Sequence, residues 1–245
     1  MDNLILSDLQ NNVLTITINR FDKKNALNTT MYQQLCQLFQ QAQTNDDIHC
    51  VLIKGNEQCF CAGNDLDDFI KHAYDDELAA FAFVQALANF TKPIVAAVAG
   101  PAVGIGTTML LHCDYVLTTP NAKFKLPFTQ LGLCPEAASS VLLPLRVGHN
   151  RAFELLVLGT LFSGQQAAQY GIANYCCEPE ELLSLAEKHA QTIAALPADA
   201  TQTSRALIKK ATAQQVNDAL EAEKVEFSRL VKTQTCQDIL ASFFN

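Results

Sequence analysis

Two stretches of this chain place glycine turns where side chains offer almost no chemistry: "CFCAGNDLDDF" (Cys59–Phe69) and "AAVAGPAVGIGTTMLLHCD" (Ala96–Asp114). Each turn follows an apolar run ("CVLIKG" in one case, "PIVAAVA" in the other) and each runs into a helix-like segment. Glycine permits positive φ and lets a ligand reach the main chain with no Cβ in the way. When a helix follows, the free N–H groups of the turn carry the positive end of its dipole. Two such turns brought together could aim two N–H donors at one oxygen, which stabilises a developing negative charge without any functional side chain. Either stretch alone also reads as a tight, close-packed turn. Phosphate binding is a weaker reading, because "GPAVGIG" is not GxGxxG and no GK[ST] follows.

A proton carrier is the natural companion of such donors. Glu136, in "LGLCPEAASS", has apolar neighbours (Leu131, Leu133, Cys134, Ala137, Ala138), the setting that raises a carboxyl pKa. The competing reading is a surface glutamate that opens a helix, with Pro135 at the first helical position. Asp65 reads as a helix cap, Asp67 and Asp68 as an exposed helix face, and Asp114 as structural. The five histidines have no paired nucleophile motif and none is assigned a catalytic role. Nine cysteines form no CxxC pair, and neither Cys59–Cys61 nor Cys176–Cys177 has histidines at zinc-like spacing. They read as reduced packing thiols of a reducing cytoplasm, with no metal site.

The elements around these groups alternate in type. "NVLTITINR" has the two-residue period of a half-buried strand, and Leu4–Leu6 is expected to pair with it in a hairpin across "DLQNN". Asn28 is placed to cap a helix carrying Met31, Leu35, Leu38, Phe39 and Ala42 on one face. Strands at Cys50–Gly55, Pro93–Val98 and Asp114–Thr119 alternate with helices at Ala79–Phe90 and Ile105–His112, which indicates an α/β domain. From about Pro197 only helices follow, at Thr201–Thr212, Gln215–Leu230 and Thr235–Phe244. The expected organisation is a core over residues 1–196 and a C-terminal helical segment over 197–245. The net charge of −8 argues against nucleic acid as partner. No signal peptide, membrane span or peroxisomal tail signal is found, so a cytoplasmic protein is expected.

Taken together, "CFCAGNDLDDF", "AAVAGPAVGIGTTMLLHCD", "AKFKLPFTQLGLCPEAASSVLLP" and "SGQQAAQYGIAN" resemble the crotonase (enoyl-CoA hydratase/isomerase) superfamily, in order and at family spacing from about Leu14 to Asn174. The resemblance implies a spiral core of four ββα turns, helices that close the site, homotrimers often paired into hexamers, and an acyl-CoA thioester as substrate. It assigns the two oxyanion donors to the backbone N–H groups of Asn64 and Ile105, the latter replacing a glycine common in hydratases. It places Lys24 (beside Lys23), Ala26, Ala62, Gly63, Asp65, Leu66, Gly104 and Phe128 on the substrate surface. Hydratases of the superfamily use two glutamates, and the matching positions here are Thr108 and Phe128, neither of which exchanges a proton. "AGNDL" with "PFTQLGLCPEAASS" resembles instead the Δ3,Δ2-enoyl-CoA isomerase branch, whose catalytic glutamate falls at Glu136. No cofactor is expected, since coenzyme A is part of the substrate. Hydration, another thioester reaction or a catalytically idle acyl-CoA scaffold are the alternatives.

Overall fold

A computed structural model of the chain describes residues 4–75 and 78–244. Its strands are β1 (Ile5–Gln10), β2 (Val13–Ile18), β3 (Cys50–Lys54), β4 (Ile94–Val98), β5 (Pro101–Val103), β6 (Tyr115–Thr118), β7 (Lys123–Lys125), β8 (Phe162–Ser163) and β9 (Tyr175–Cys176). The helices are α1 (Thr29–Thr44), α2 (Leu66–His72), α3 (Ala79–Asn89), α4 (Ile105–Thr108), α5 (Ser139–Val147) and α6 (His149–Leu156), then α7 (Gly164–Gln169), α8 (Leu182–Ala194), α9 (Ala198–Lys210), α10 (Ala213–Leu230) and α11 (Gln234–Ala241). One sheet has the order β1-β2-β3-β4-β6-β9, parallel except for the β1–β2 hairpin, and a smaller one has the order β5-β7-β8.

The strands of the large sheet are apolar on both faces because both faces are covered. Alternate residues of β3 and β4 enter different cores. Val51, Ile53, Ile94 and Ala96 join the core that contains α1 and α3, while Leu52 and Val95 meet Leu182, Ala186 and Ala190 of α8. The chain between β2 and α5 winds as a spiral. Each pass lays a segment in the large sheet, a short segment in a second layer, and then a helix. The second-layer segments are Leu27, which bridges Asn64; Cys61, which bridges Ala102; β5; and β7, which pairs with β5. The passes β2–Leu27–α1, β3–Cys61–α2, β4–β5–α4 and β6–β7–α5 are the four ββα turns that the resemblance implies.

Several boundaries differ from expectation for local reasons. The hairpin turn is only Asn11–Asn12, both at positive φ (51° and 61°), so β1 continues through Asp8–Gln10 and the pairing runs from Ile5↔Ile18 to Gln10↔Val13. Asparagine tolerates the left-handed conformation that a two-residue hairpin needs. The helix expected over Ile105–His112 is α-helical only to Thr108 and tightens to a 3-10 turn over Met109–His112. The helices α9 and α10 begin at Ala198 and Ala213, slightly earlier than expected. Glu136 does not open a helix, since α5 begins at Ser139. Asp68 is not merely exposed: its carboxylate accepts from Thr29 N and Thr29 Oγ1, both at 2.7 Å, and so holds the start of α1.

Candidate active site

The two donor turns occupy equivalent places in successive turns of the spiral. In the first, Leu27 N–H donates to Gly63 O (2.8 Å) and Leu27 O accepts from Asp65 N (2.8 Å), so the intervening Asn64 N–H faces away from Leu27. In the second, Gly104 N–H donates to Lys125 O (2.9 Å), and Gly104 O accepts from Thr107 N and Thr108 N. Ile105 is the first residue of α4, so its N–H has no intrahelical acceptor. Among the described residues neither N–H is taken up by a protein acceptor. Two glycines permit this arrangement. Gly63 sits at φ +98°, and a Cβ at Gly106 would lie 2.5 Å from Cys61 O, so only glycine lets the two turns pack this closely. The Ile105 side chain finds its room in the main core, where it is buried.

Both donor residues and Glu136 border one cavity of about 490 Å³. The expected substrate surface at Ala26, Ala62, Gly63, Asp65, Leu66, Gly104 and Phe128 lines this cavity as well. Lys24 does not line it. Its backbone is left-handed (φ 50°) and its carbonyl accepts from Ala62 N at 3.0 Å, while Lys23 and Lys125 supply the cationic groups on the wall. The Asp65 carboxylate is already engaged, accepting from Arg20 Nη1 (2.6 Å) and, as the cap of α2, from Asp68 N (3.2 Å). Phe227, Leu240 and Phe243 close one end of the cavity from the C-terminal helices.

Glu136 stands in a turn rather than on a regular element. Ala137 and Ala138, which follow it, are both left-handed (φ 58° and 53°). Its side chain is buried, and the Thr108 hydroxyl donates to Oε1. Burial pushes the Glu136 carboxyl up to about 8, opposed by the Thr108 bond and reinforced by the charge of Glu223. Thr108, which the resemblance matches to a hydratase glutamate, therefore holds this carboxyl by its hydroxyl. Glu136 also borders a second cavity, of about 610 Å³, between α1, α3 and α10.

Three residues at the site were not singled out from sequence. Tyr32 of α1 donates its hydroxyl to Asn64 Oδ1. His112 makes a 2.8 Å bond from Nε2 to Ala137 O, and burial pushes its pKa down to about 3, so the ring is neutral and Nε2–H donates. Glu223 of α10 accepts from Ala138 N (2.6 Å), Ser140 N (3.0 Å) and Ser140 Oγ (2.5 Å). A signal for Glu223 was present, because it lies on the stripe Ala219, Leu220, Glu223, Phe227 that α10 buries. The thiols of Cys59 and Cys61 are pushed up by burial, to about 11 and about 12, which fits packing and not nucleophilic use. Among the described residues no group of His, Cys, Asp or Glu could hold a metal, and no helix is long and apolar enough to cross a membrane.

The family pattern described as Enoyl-CoA hydratase/isomerase matches residues 8–245, and the chain belongs to that family. It is 33% identical over 238 residues to the 1,2-epoxyphenylacetyl-CoA isomerase of Escherichia coli K12, covering 94% of this chain and 90% of that protein. It is 31% identical over 246 residues to enoyl-CoA delta isomerase 2 of the rat, covering 98% of this chain and 63% of that one. The solved structure of OdaA from Pseudomonas aeruginosa superposes with a TM-score of 0.96 at 39% identity, covering all of both chains. The fold is thus the crotonase fold with its C-terminal helical region, and the family acts on acyl-CoA thioesters.

Proposed function

We propose that this protein moves the double bond of a 3-enoyl-CoA to the trans-2 position, with Glu136 as its one proton shuttle and the N–H groups of Asn64 and Ile105 as its oxyanion hole. The observation that carries the reading is one buried carboxyl with no cationic partner, Glu136, bordering the same cavity as two free backbone donors. The other buried carboxylate there, Asp65, is taken up by Arg20 and the cap of α2, and Thr108 and Phe128 stand where the resemblance places a hydratase's glutamates. Glu136 carboxylate removes a proton from C2, and the charge of the resulting dienolate moves to the thioester oxygen. Two N–H donors aimed at that oxygen lower the barrier. The carboxylic acid so formed returns the proton to C4, leaving the double bond between C2 and C3. Every atom is conserved, so neither water nor a cofactor is consumed. The second cavity offers the acyl chain room beyond the reacting carbons. This chemistry fits the breakdown of unsaturated fatty acids.

Hydration is the second reading, and one observation favours it: Glu223 puts another carboxyl close enough to raise the pKa of Glu136. Both Glu223 oxygens are, however, occupied by the donors of Ala138 and Ser140, and Glu223 does not border the cavity that holds Asn64 and Ile105. Separate incubation with a 3-enoyl-CoA and a trans-2-enoyl-CoA distinguishes the readings. The isomerase reading expects 3-enoyl-CoA to give the conjugated thioester and 2-enoyl-CoA to stay unhydrated. Hydration of the second substrate alone overturns it, and binding without turnover of either indicates a scaffold. Self-association as a trimer or hexamer is part of the same proposal, supported by exposed Leu145, Leu207 and Ile208 (60%, 65% and 78% exposed). A stable, active monomer in light scattering would remove that part.

A further inference from the structure

The turn that carries Glu136 has to be held in place by something. Ala137 and Ala138 are consecutive left-handed alanines, a conformation in which each Cβ crowds the following carbonyl oxygen. The helix that follows, α5, has no capping side chain of its own, because its N-cap residue is Ala138. His112 fixes the Ala137 carbonyl from the side of the 3-10 turn after α4. On the other side the free N–H groups of Ala138 and Ser140, together with the Ser140 hydroxyl, all donate to the carboxylate of Glu223.

Glu223 is 85 residues further along the chain than Ala138 and belongs to a different helix. It sits among Ala219, Leu220 and Phe227 on the face that α10 buries, where an apolar residue would pack at no electrostatic cost. A carboxylate buried there is tolerated because three donors satisfy it. Those donors belong to Ala138, in the turn after Glu136, and to Ser140, in the first turn of α5.

We infer that Glu223 is a positioning residue for Glu136: through Ala138 and Ser140 it fixes the strained turn, and it makes the C-terminal helix α10 part of the acid–base apparatus. The inference rests on Glu136 being the proton shuttle. A second effect comes with the first, because two carboxyls facing one another disfavour ionisation of both. The groups facing Glu136 are the Thr108 hydroxyl from α4, the Tyr32 phenol from α1, the Cys61 thiol from the segment before α2, and Glu223 from α10. Burial raises Tyr32 and Cys61 above their ordinary values and raises Glu223 as well, opposed there by the bonds from Ser140 and Ala138. Of these four, Glu223 is the group whose charge pushes Glu136 up. His112 is neutral there.

The test combines Glu223→Gln and Ser140→Ala with two readouts on the full-length protein. One is the titration of the Glu136 carboxyl by isotope-edited NMR, its signal assigned from its loss in Glu136→Gln. The other is kcat and KM on a 3-enoyl-CoA. Glutamine presents one oxygen to the donors and an amide NH₂ that repels the others, and it carries no charge. In Glu223→Gln the Glu136 midpoint is expected to fall by about one pH unit. The kcat is expected to fall by about tenfold to a hundredfold with KM within about twofold, since misplacing a reacting group costs turnover more than binding. Ser140→Ala keeps the charge and loses one bond, so kcat falls about threefold with the midpoint nearly fixed. An unmoved Glu136 midpoint together with unchanged kcat in Glu223→Gln overturns the inference, as does a loss of kcat matched wholly by unfolding. Should Glu223→Gln fail to fold, unchanged kcat in Ser140→Ala overturns it instead. If the wild type turns over no 3-enoyl-CoA, the isomerase reading fails, while the NMR midpoints still decide the coupling of Glu223 to Glu136.

Discussion

The two halves of the proposed site are built in opposite ways. The donor half uses main chain alone: two turns of one spiral repeat the same strand–turn–helix form, and each leaves one N–H free. The acid–base half is one side chain, Glu136, on a turn supported by three residues from two distant places: Thr108 and His112 after the second glycine turn, and Glu223 from α10. A backbone donor depends on the path of the chain and is indifferent to the residue that carries it. A carboxyl with a raised pKa depends on what surrounds it, and each neighbour tunes it separately. Substitutions should therefore act on the halves differently.

The largest effect is expected at Glu136. Glutamine keeps its size and can still bond Thr108, but it accepts no proton, so kcat for a 3-enoyl-CoA should fall by ~10²–10⁴. The Kd for a saturated acyl-CoA should change little, because the two backbone donors and the remaining cavity wall are intact. The same variant sharpens the comparison through stability. The folded pKa of Glu136 is raised to about 8, so the stability it contributes is complete below its unfolded value of 4.5 and is lost as pH rises through about 8. Glu136→Gln should thus match the wild type in thermal unfolding near pH 4 and exceed it at pH 9. Equal unfolding temperatures at pH 9 would show that the carboxyl ionises in the fold without penalty.

Next in size is Asn64→Pro, which strikes the donor half. Proline has no N–H, and losing one oxyanion donor costs on the order of 10²–10³ in kcat, with any distortion of the turn in addition. A fall below tenfold in the folded variant would mean that Ile105 alone holds the oxygen.

The same contrast decides what could be read from the chain. The strand–turn–helix form of the donor half was legible because its determinants are local: glycines, the apolar strands before them and the helices after them all lie within about twenty residues. Only the family resemblance, however, picked out Asn64 and Ile105 as donors. Asn28 as the cap of α1 and Asp65 as the cap of α2 were legible for the same reason. Glu136 was visible as an acid among apolar neighbours, yet composition alone read it equally as the opening of a helix, and only the family resemblance separated the two. Its supports were invisible. No local pattern says that the first N–H groups of α5 are capped from 85 residues away, or that Thr108 turns its hydroxyl to Glu136. Asp68 went wrong in the same manner, since its partner Thr29 is 39 residues distant. The motif named Lys23 and Lys24 together, and no local pattern said that the left-handed backbone of Lys24 would leave Lys23 as the one of the pair that borders the cavity.

A smaller effect is expected at Thr108. Its hydroxyl bond stabilises the ionised form of Glu136 and so holds the carboxyl below the value that burial alone would set. In the wild type kcat/KM should rise with pH through about 8, as Glu136 loses its proton and becomes a base. Thr108→Val keeps the shape and removes the donor, so the rise should move to higher pH, opposite in direction to Glu223→Gln. Activity at neutral pH should fall several-fold and recover partly at alkaline pH. A profile that does not move would show that the Thr108 bond fails to tune the carboxyl.

The smallest effect on activity is expected for Asn64→Ala, and this substitution separates the two kinds of construction most cleanly. The donor is the main-chain N–H, which alanine retains, and the path of the chain there is set by Leu27 on one side and Gly63 before it. The Asn64 side chain acts elsewhere, since its Oδ1 accepts the Tyr32 hydroxyl, which is buried under α1. Removing the amide leaves that hydroxyl without its acceptor, at a cost of about 1–3 kcal/mol of stability. The variant should therefore unfold earlier while kcat stays within about threefold of wild type at a temperature where both are folded. Tyr32→Phe in the same background should restore part of the lost stability, because it removes the unsatisfied group itself. If Asn64→Ala instead loses turnover by ten- to a hundredfold with its stability unchanged, the amide acts on the substrate, and the donor half is not built from main chain alone.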